Sequence, residues 1–187
     1  MLKLKVISST SRPGRKGPII AKWISALAQA NPAFEVELLD LGDIHLPLMD
    51  EPFHPRLKKY QHEHTKKWSA KIDDADAFIF VTAEYNACFP APLKNALDYL
   101  FTEWTNKPAG IVSYGGVSGG TRASQLLKPV LTAFKMMPLP EGVVISMFDR
   151  FINDQEEFIA DEMLNKSAGF MLTELEKWGN ALKPLRS

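Results

Sequence analysis

The chain has 187 residues, a length that suits one domain with a sizeable core. Its 22 basic and 22 acidic residues cancel, which argues against a general nucleic-acid binder and against polybasic docking on membranes. A single cysteine, Cys88, excludes an internal disulfide, and no apolar run is long enough to span a bilayer. The N-terminus does not have the form of a signal peptide, so we expect a cytoplasmic protein.

Five short apolar runs alternate with amphipathic helical patterns along the chain. Each run is rich in Val, Ile, Leu or Phe and ends in polar or turn residues, as buried strands do. The predicted strands are Leu2–Ser8, Phe34–Leu39, Ala77–Thr82, Ala109–Ser113 and Gly142–Met147. Helical stripes are predicted over 18–28, 60–72, 93–104, 123–134 and 155–181.

This alternation predicts an α/β fold in which residues 1–187 form a single doubly wound domain. Its five strands form a parallel sheet with helices on both faces. Ligands in such sheets bind beyond the carboxyl ends of the strands, near the switch in strand order. The loops Ser8–Gly17, Thr82–Ala91 and Ser113–Gly120 follow the first, third and fourth strands, so we expect the functional site there.

The first loop, SSTSRPGRKGP, combines hydroxyl groups, cations and glycines directly before a helix. Free amides and the dipole at a helix N-terminus favour anions, and arginine can bind a phosphate through two parallel hydrogen bonds. The loop is therefore typical of a phosphate site, although a solvated cationic turn with a glycine cap has the same composition. The candidate phosphate ligands are Thr10, Ser11, Arg12, Lys16, Gly17, Pro18 and Ile19, with Arg15 as a further cation.

Two common nucleotide motifs are absent from this loop. It has neither the G-x-x-x-x-G-K-[ST] pattern of P-loop nucleotidases nor the G-x-G-x-x-G pattern of dinucleotide-binding Rossmann domains. The other common doubly wound strand order carries flavin mononucleotide (FMN) in this place. The position of the loop therefore favours FMN as the phosphate-bearing ligand.

Two further motifs follow the third and fourth strands. The segment TAEYNACFPAPLKNALDYL begins at Thr82, and SYGGVSGGTRA begins at Ser113. With EYN, a proline and LKNALD in order, and with the first loop in place, the chain resembles the NADPH-dependent FMN reductases of the flavodoxin-like superfamily. Relatives of that family include quinone, azo-dye and chromate reductases. The resemblance covers most of the chain but adds little over its last helix.

The resemblance implies a flavodoxin-like FMN-binding domain with strand order 2-1-3-4-5. In this family, fixed backbone N–H groups reach the polar edge of the flavin ring, where they stabilise the negative charge of the reduced form. Because the flavin performs the redox chemistry, no catalytic acid or base and no metal are expected. The residues implied at the ring are Glu84, Tyr85, Asn86, Ser113, Tyr114, Gly115 and Gly116.

The implied activity is that of a flavin-dependent oxidoreductase. NADPH or NADH reduces the bound FMN, and a quinone, an azo compound or free flavin then takes the electrons in a ping-pong mechanism. A homodimer or homotetramer is implied as well. Two alternatives stay open: an electron-carrier flavodoxin that does not use NADPH, and a flavin-free binding protein with the same fold. A net charge of zero disfavours the carrier, because steering toward cationic partners requires a large field.

Three other features allow both a structural and a functional interpretation. Cys88 is either a small apolar residue, which we favour, or a substrate contact. Arg122 is either a solvated first-turn arginine or a ligand of the extra phosphate of NADPH. His62 and His64, two positions apart on a predicted helix, are expected to point to different faces and therefore not to share a metal, with His64 packing against Trp68.

Overall fold

A computed structural model describes residues 1–186 and contains a five-stranded parallel sheet. The strand order is β2-β1-β3-β4-β5, so the predicted doubly wound fold and its strand order are confirmed. The strands are β1 (Leu2–Ser8), β2 (Phe34–Asp40), β3 (Ala77–Ala83), β4 (Pro108–Gly115) and β5 (Met137–Ser146). The helices are α1 (Gly17–Gln29), α2 (Leu41–Ile44), α3 (Glu63–Asp73), α4 (Ala91–Asp98), α5 (Thr121–Ala133) and α6 (Glu162–Leu182).

Alternate side chains of the central strands are buried on opposite faces of the sheet. Val6 packs with Ile24 of α1 in a cluster that also includes residues of α6. The next residue, Ile7, packs with Phe80 and Leu97 in a second cluster, formed with α3, α4 and α5. Both faces are covered, which explains why the strands appear in the sequence as continuous apolar runs.

The direction of winding reverses beside β1. Val6 is in register with Leu38 of β2 on one side and with Ile79 of β3 on the other. Val81 of β3 is in turn in register with Val112 of β4. The carboxyl ends of β1, β3 and β4 therefore lie side by side, and the loops that follow them meet at one edge of the sheet.

Strand β5 begins at Met137, five residues before the predicted start at Gly142. The two prolines in this segment, Pro138 and Pro140, disfavour a strand in the sequence because proline cannot donate to the ladder. β5 is an edge strand, paired only with β4 among the described residues. Prolines, which lack an N–H, are therefore tolerated where the backbone N–H would point to its outer side.

The predicted last helix is wrong over 155–161. Oδ1 of Asn153 accepts hydrogen bonds from the backbone amides of Gln155 (3.0 Å) and Glu157 (2.8 Å), and this holds the chain in a turn. Helix α6 begins only at Glu162, where Asp161 caps it by accepting from the Leu164 amide at 2.8 Å. The stripe predicted over 93–104 is also divided, into α4 and a 3₁₀ turn over Thr102–Trp104.

None of the helices within residues 1–186 combines the length and the apolar character needed to cross a membrane.

Lys107 lies at the opposite end of the sheet from the three loops, directly before β4. Its Nζ donates hydrogen bonds to the carbonyl oxygens of Ile72 (2.8 Å) and Asp73 (2.9 Å) at the end of α3. Burial disfavours the charged amine and lowers the pKa of Lys107 to about 8. Folding therefore carries a cost for this charge, and the cost vanishes once the amine loses its proton.

We expect the wild type to gain stability relative to Lys107→Met between about pH 7 and about pH 10. The folded pKa lies below the unfolded one in this window, so the unfolded chain binds more protons and stability rises with pH. The difference in unfolding free energy should shift by about 1–3 kcal/mol, measured by urea denaturation. Lys67→Met, on the exposed face of α3, serves as the control. Parallel pH profiles for the wild type and Lys107→Met would contradict the expectation.

Candidate functional site

Two backbone hydrogen bonds hold the three loops against one another. The amide of Ser9, just past β1, donates to the carbonyl of Val81 in β3 at 3.1 Å. The amide of Glu84, just past β3, donates to the carbonyl of Tyr114 in β4, also at 3.1 Å. The predicted loops are therefore brought together at the carboxyl edge of the sheet.

The first loop contains a cluster of buried hydroxyl groups. The side-chain oxygens of Ser8 and Ser9 are buried and have no hydrogen-bond partner within residues 1–186, and the buried hydroxyl of Thr10 lies beside that of Tyr114. Gly17, the first residue of α1, faces this cluster. A Cβ on Gly17 would lie 2.4 Å from Oγ1 of Thr10, 2.9 Å from the hydroxyl of Tyr114 and 3.2 Å from Oγ of Ser8. Buried polar groups normally have partners, so this cluster is built to receive an acceptor.

Tyr114 reaches this cluster from β4. Its side chain is buried and packs edge-on against Phe148, with ring centroids 5.1 Å apart. Burial raises the pKa of the Tyr114 hydroxyl, so the group stays protonated and can donate a hydrogen bond. The predicted residue thus lies in the site, with its side chain at the first loop and its carbonyl bonded to Glu84.

The three cations of the first loop have different partners. Arg15 is paired with Asp40 at 3.0 Å and with Asp43 at 3.2 Å, so it is not available to a phosphate as the sequence suggested. Nζ of Lys16 lies 2.6 Å from a carboxylate oxygen of Glu156. Arg12 is exposed and makes no ion pair with any described residue. It is therefore the cation of this loop that is free to meet an anion.

The start of α1 has no side-chain cap. Lys16, at the N-cap position, provides no side-chain cap, and Pro18 in the first turn has no N–H. The Ile19 amide bonds back to the carbonyl of Lys16 at 3.2 Å, so it closes the turn. Ser11 is exposed at the mouth of the loop. Of the predicted phosphate ligands, Thr10 and Gly17 therefore lie together at the buried hydroxyl cluster.

The second loop forms a tight hairpin. Tyr85 and Cys88 exchange both backbone hydrogen bonds, at 2.8 and 3.0 Å, and the two residues between them, Asn86 and Ala87, have φ values of 49° and 66°. This is the geometry of a type I′ turn, in which asparagine is well tolerated. Tyr85 is 38% exposed on top of the hairpin, while Cys88 is half-buried against the apolar cluster. The apolar interpretation of Cys88 thus fits its surroundings.

The third loop is a compact glycine turn. Oγ of Ser113 donates to the carbonyl of Gly119 at 3.0 Å, so this predicted residue supports the turn from below. The carbonyl of Gly116 accepts from the amides of Gly119 (3.1 Å) and Met147 (2.8 Å). A Cβ on Gly116 would meet no atom within 4 Å, so the space above this residue is open.

Glu84 connects the second loop to the third. Its side chain is only 7% exposed and accepts hydrogen bonds from Ser118 (3.0 Å) and from the guanidinium of Arg122 (2.7 Å). Burial opposes the charge of this carboxylate, but these donors outweigh it, and the pKa of Glu84 lies below its usual range. Arg122 is a largely exposed arginine in the first turn of α5, as one of its two interpretations held, and its pairing with Glu84 was not predicted.

The two histidines do not point apart. His62 is the N-cap of α3 with extended backbone, so its ring stacks on that of His64 with centroids 5.2 Å apart. His64 contacts Asp50 at 3.0 Å and the edge of Tyr99. The expectation from helical spacing is wrong, because His62 lies outside the helix.

Comparison with known proteins identifies the family. Residues 2–150 match the family model described as NADPH-dependent FMN reductase. The chain belongs to this family. It is 46% identical over 140 residues to an NAD(P)H-dependent FMN reductase of Schizosaccharomyces pombe, covering 74% of this chain and 70% of the relative. It is 30% identical over 165 residues to a quinone reductase of Pseudomonas putida, covering 81% and 85%.

Solved structures agree on the fold. The NAD(P)H:(acceptor) oxidoreductase FerB of Paracoccus denitrificans superposes with a TM-score of 0.76 at 23% identity, covering 97% of this chain and 98% of that one.

As a member of the FMN reductase family, the protein is an NAD(P)H-dependent flavin oxidoreductase with FMN as its cofactor. This favours the reductase over both the electron carrier and the flavin-free binding protein.

The residues present fit this cofactor. A phosphate group accepts hydrogen bonds and carries negative charge, and the first loop offers unpartnered buried hydroxyls, an uncapped helix start and the free cation Arg12. The hydroxyl cluster lies so close to Gly17 that a Cβ there would collide with Oγ1 of Thr10. Ser8 and Ser9 are not among the phosphate ligands predicted from the sequence. Their signal was the unbroken run of hydroxyl residues from Ser8 to Ser11.

We expect Gly17→Ala to weaken FMN binding by about 1–3 kcal/mol, the usual cost of overpacking, because the new methyl group collides with the hydroxyl cluster. Titration of the apoprotein with FMN, followed by the quenching of flavin fluorescence, measures the change. Gly169→Ala is the matched control, since Gly169 lies within α6 with no atom near its Cβ position. Equal FMN affinities for the two variants would count against FMN binding at the hydroxyl cluster beside Gly17.

Proposed function

We propose that the phosphate of FMN binds at the first loop and that its ring lies between the hairpin and the glycine turn. The observation that supports this most strongly is the buried hydroxyl cluster beside the start of α1, in which Ser8 and Ser9 have no partner among the described residues and Thr10 lies beside Tyr114. These groups donate to the phosphate, Tyr114 adds a protonated hydroxyl from below, and Arg12 adds the charge from the solvent side.

The ring-binding surface consists of backbone and one aromatic side chain. Tyr85 is exposed on the hairpin, the space at Gly116 is open, and a Cβ on Gly115 would lie 3.7 Å from Cβ of Glu84, so the two loops are neighbours. This supports a planar ligand between them. When bound, FMN supplies the redox chemistry, accepting a hydride from NAD(P)H and passing electrons on. In this proposal the N–H groups of Gly115 and Gly116 stabilise negative charge at the ring edge without reorganising.

The open side of this surface serves both substrates in turn. The nicotinamide coenzyme occupies it first and leaves, and the acceptor then takes its place. The acceptor is a small molecule: a quinone, an azo compound or free flavin. Glu84 is held by Ser118 and Arg122, which leaves it without a role as proton donor or base. This alternation gives ping-pong kinetics, with parallel rather than intersecting initial-rate plots.

A further part of the proposal concerns assembly and location. The segment between α2 and α3 exposes three large apolar side chains, Leu48 (83%), Phe53 (46%) and Leu57 (56%). This supports burial of the segment against a second copy of the chain, as a homodimer or homotetramer. The single free cysteine, Cys88, supports a cytoplasmic location.

Arg12→Ala tests the phosphate assignment. Loss of a hydrogen bond to a charged group should weaken FMN binding by about 1.5–3 kcal/mol in an equilibrium titration at fixed ionic strength. Lys67→Ala removes one positive charge from the exposed face of α3 and should leave the affinity unchanged. If Arg12→Ala binds FMN as tightly as the wild type does, the phosphate does not lie at this loop.

A further inference from the structure

Helix α5 begins without a cap of its own. Its N-cap residue is Gly120, in the left-handed region with φ of 79°, which has no side chain to accept from the free amides of the first turn. Such amides need an acceptor when they are not solvated. Oε2 of Glu84 accepts from the amide of Arg122 at 3.1 Å, so a residue at the end of β3 caps a helix that follows β4.

The same carboxylate also fixes the glycine turn. Its Oε1 accepts from Oγ of Ser118 at 3.0 Å, and Ser118 lies in the turn between Gly116 and Gly120. The backbone of Glu84 is anchored as well, through its amide to the carbonyl of Tyr114. Glu84 precedes the hairpin residue Tyr85, so one side chain sets the distance between the two loops at the ring-binding surface.

The charge of this carboxylate is balanced within the same contact. Nη1 of Arg122 lies 2.7 Å from Oε1 of Glu84, and the Arg122 side chain is 64% exposed while that of Glu84 is 7% exposed. A carboxylate without a counterion at this depth would act on any charge that develops nearby, because the surroundings screen it poorly. Reduced flavin is electron-rich, so an unbalanced Glu84 would disfavour it.

We propose that Glu84 is a positioning residue that locks the hairpin to the glycine turn through Ser118 and the start of α5, and that Arg122 neutralises it so that reduced cofactor is not disfavoured. The inference rests on the proposed placement of the ring between these loops. A role as general base does not fit, because both carboxylate oxygens are occupied by donors.

Asp76 provides a matched control at the other end of the same strand. It immediately precedes β3, and its carboxylate accepts from the backbone amide of Lys3 (2.9 Å) and pairs with Arg186 at 2.9 Å. Like Glu84 it is a largely buried, bonded carboxylate with an arginine partner. It lies away from the three loops, so its loss should lower stability without affecting the cofactor.

The experiment compares Glu84→Ala, Glu84→Gln, Arg122→Gln and Asp76→Asn with the wild type. For each protein, FMN affinity is obtained by fluorescence titration, the thermal midpoint of the apoprotein by circular dichroism, and the midpoint potential of bound FMN by anaerobic dye titration. We expect Glu84→Ala to weaken FMN binding by about tenfold or more, with a smaller loss for Glu84→Gln, which keeps an acceptor oxygen. Asp76→Asn should lower the thermal midpoint but leave the affinity within about twofold.

The midpoint potential of bound FMN distinguishes the positioning role of Glu84 from the effect of its charge. Arg122→Gln leaves the carboxylate unbalanced and should make the potential more negative, whereas Glu84→Gln leaves the arginine unbalanced and should make it more positive. Unchanged FMN affinity in Glu84→Ala would show a purely structural cap and overturn the proposal. If Arg122→Gln and Glu84→Gln shift the midpoint potential of bound FMN in the same direction, or leave it unchanged, the role of Arg122 is overturned. FMN binding by the wild type is measured before any variant is compared. If the wild type does not bind FMN, the proposed function is overturned instead.

Discussion

The position of the site depends on two backbone hydrogen bonds just beyond the strand ends, from Ser9 to Val81 and from Glu84 to Tyr114. They continue the sheet by one step on each side of β3, so three loops from distant parts of the sequence meet at a fixed spacing. A parallel sheet with this strand order makes such a meeting possible, because β1, β3 and β4 are neighbours. The rest of the site is then filled by side chains that these bonds bring within reach.

Little unpaired positive charge lies at this edge of the sheet. Carboxylates engage Arg15, Lys16 and Arg122, so most of the basic side chains near the loops are already paired. In the proposed phosphate site the anion is met chiefly by neutral donors, the buried hydroxyls of the first loop, with Arg12 as the unpaired cation. Preorganised neutral groups hold a phosphate without creating a large external field, which is consistent with a net charge of zero.

The sheet was predictable because each strand is buried on both faces and appears as an apolar run. The early start of β5 was not, since prolines in a strand are acceptable only at an edge, and edge position is a tertiary property. The side chain of Asn153 competes with helix formation before α6, which periodicity alone does not reveal. The contacts of Arg15, Lys16 and Glu84 join residues 25 to 140 positions apart, so the sequence predicts the three loops that meet but not the ion pairs and hydrogen bonds between them.

The most direct test of the account is the absorption spectrum of the purified, FMN-loaded protein, recorded anaerobically before and after NADPH is added. A flavin held against the three loops and open to the coenzyme should lose its visible band within seconds, and a quinone added afterwards should restore it. A bound flavin whose visible band is unchanged by both NADPH and NADH would contradict the account, because the cofactor would then be held without access for a hydride donor.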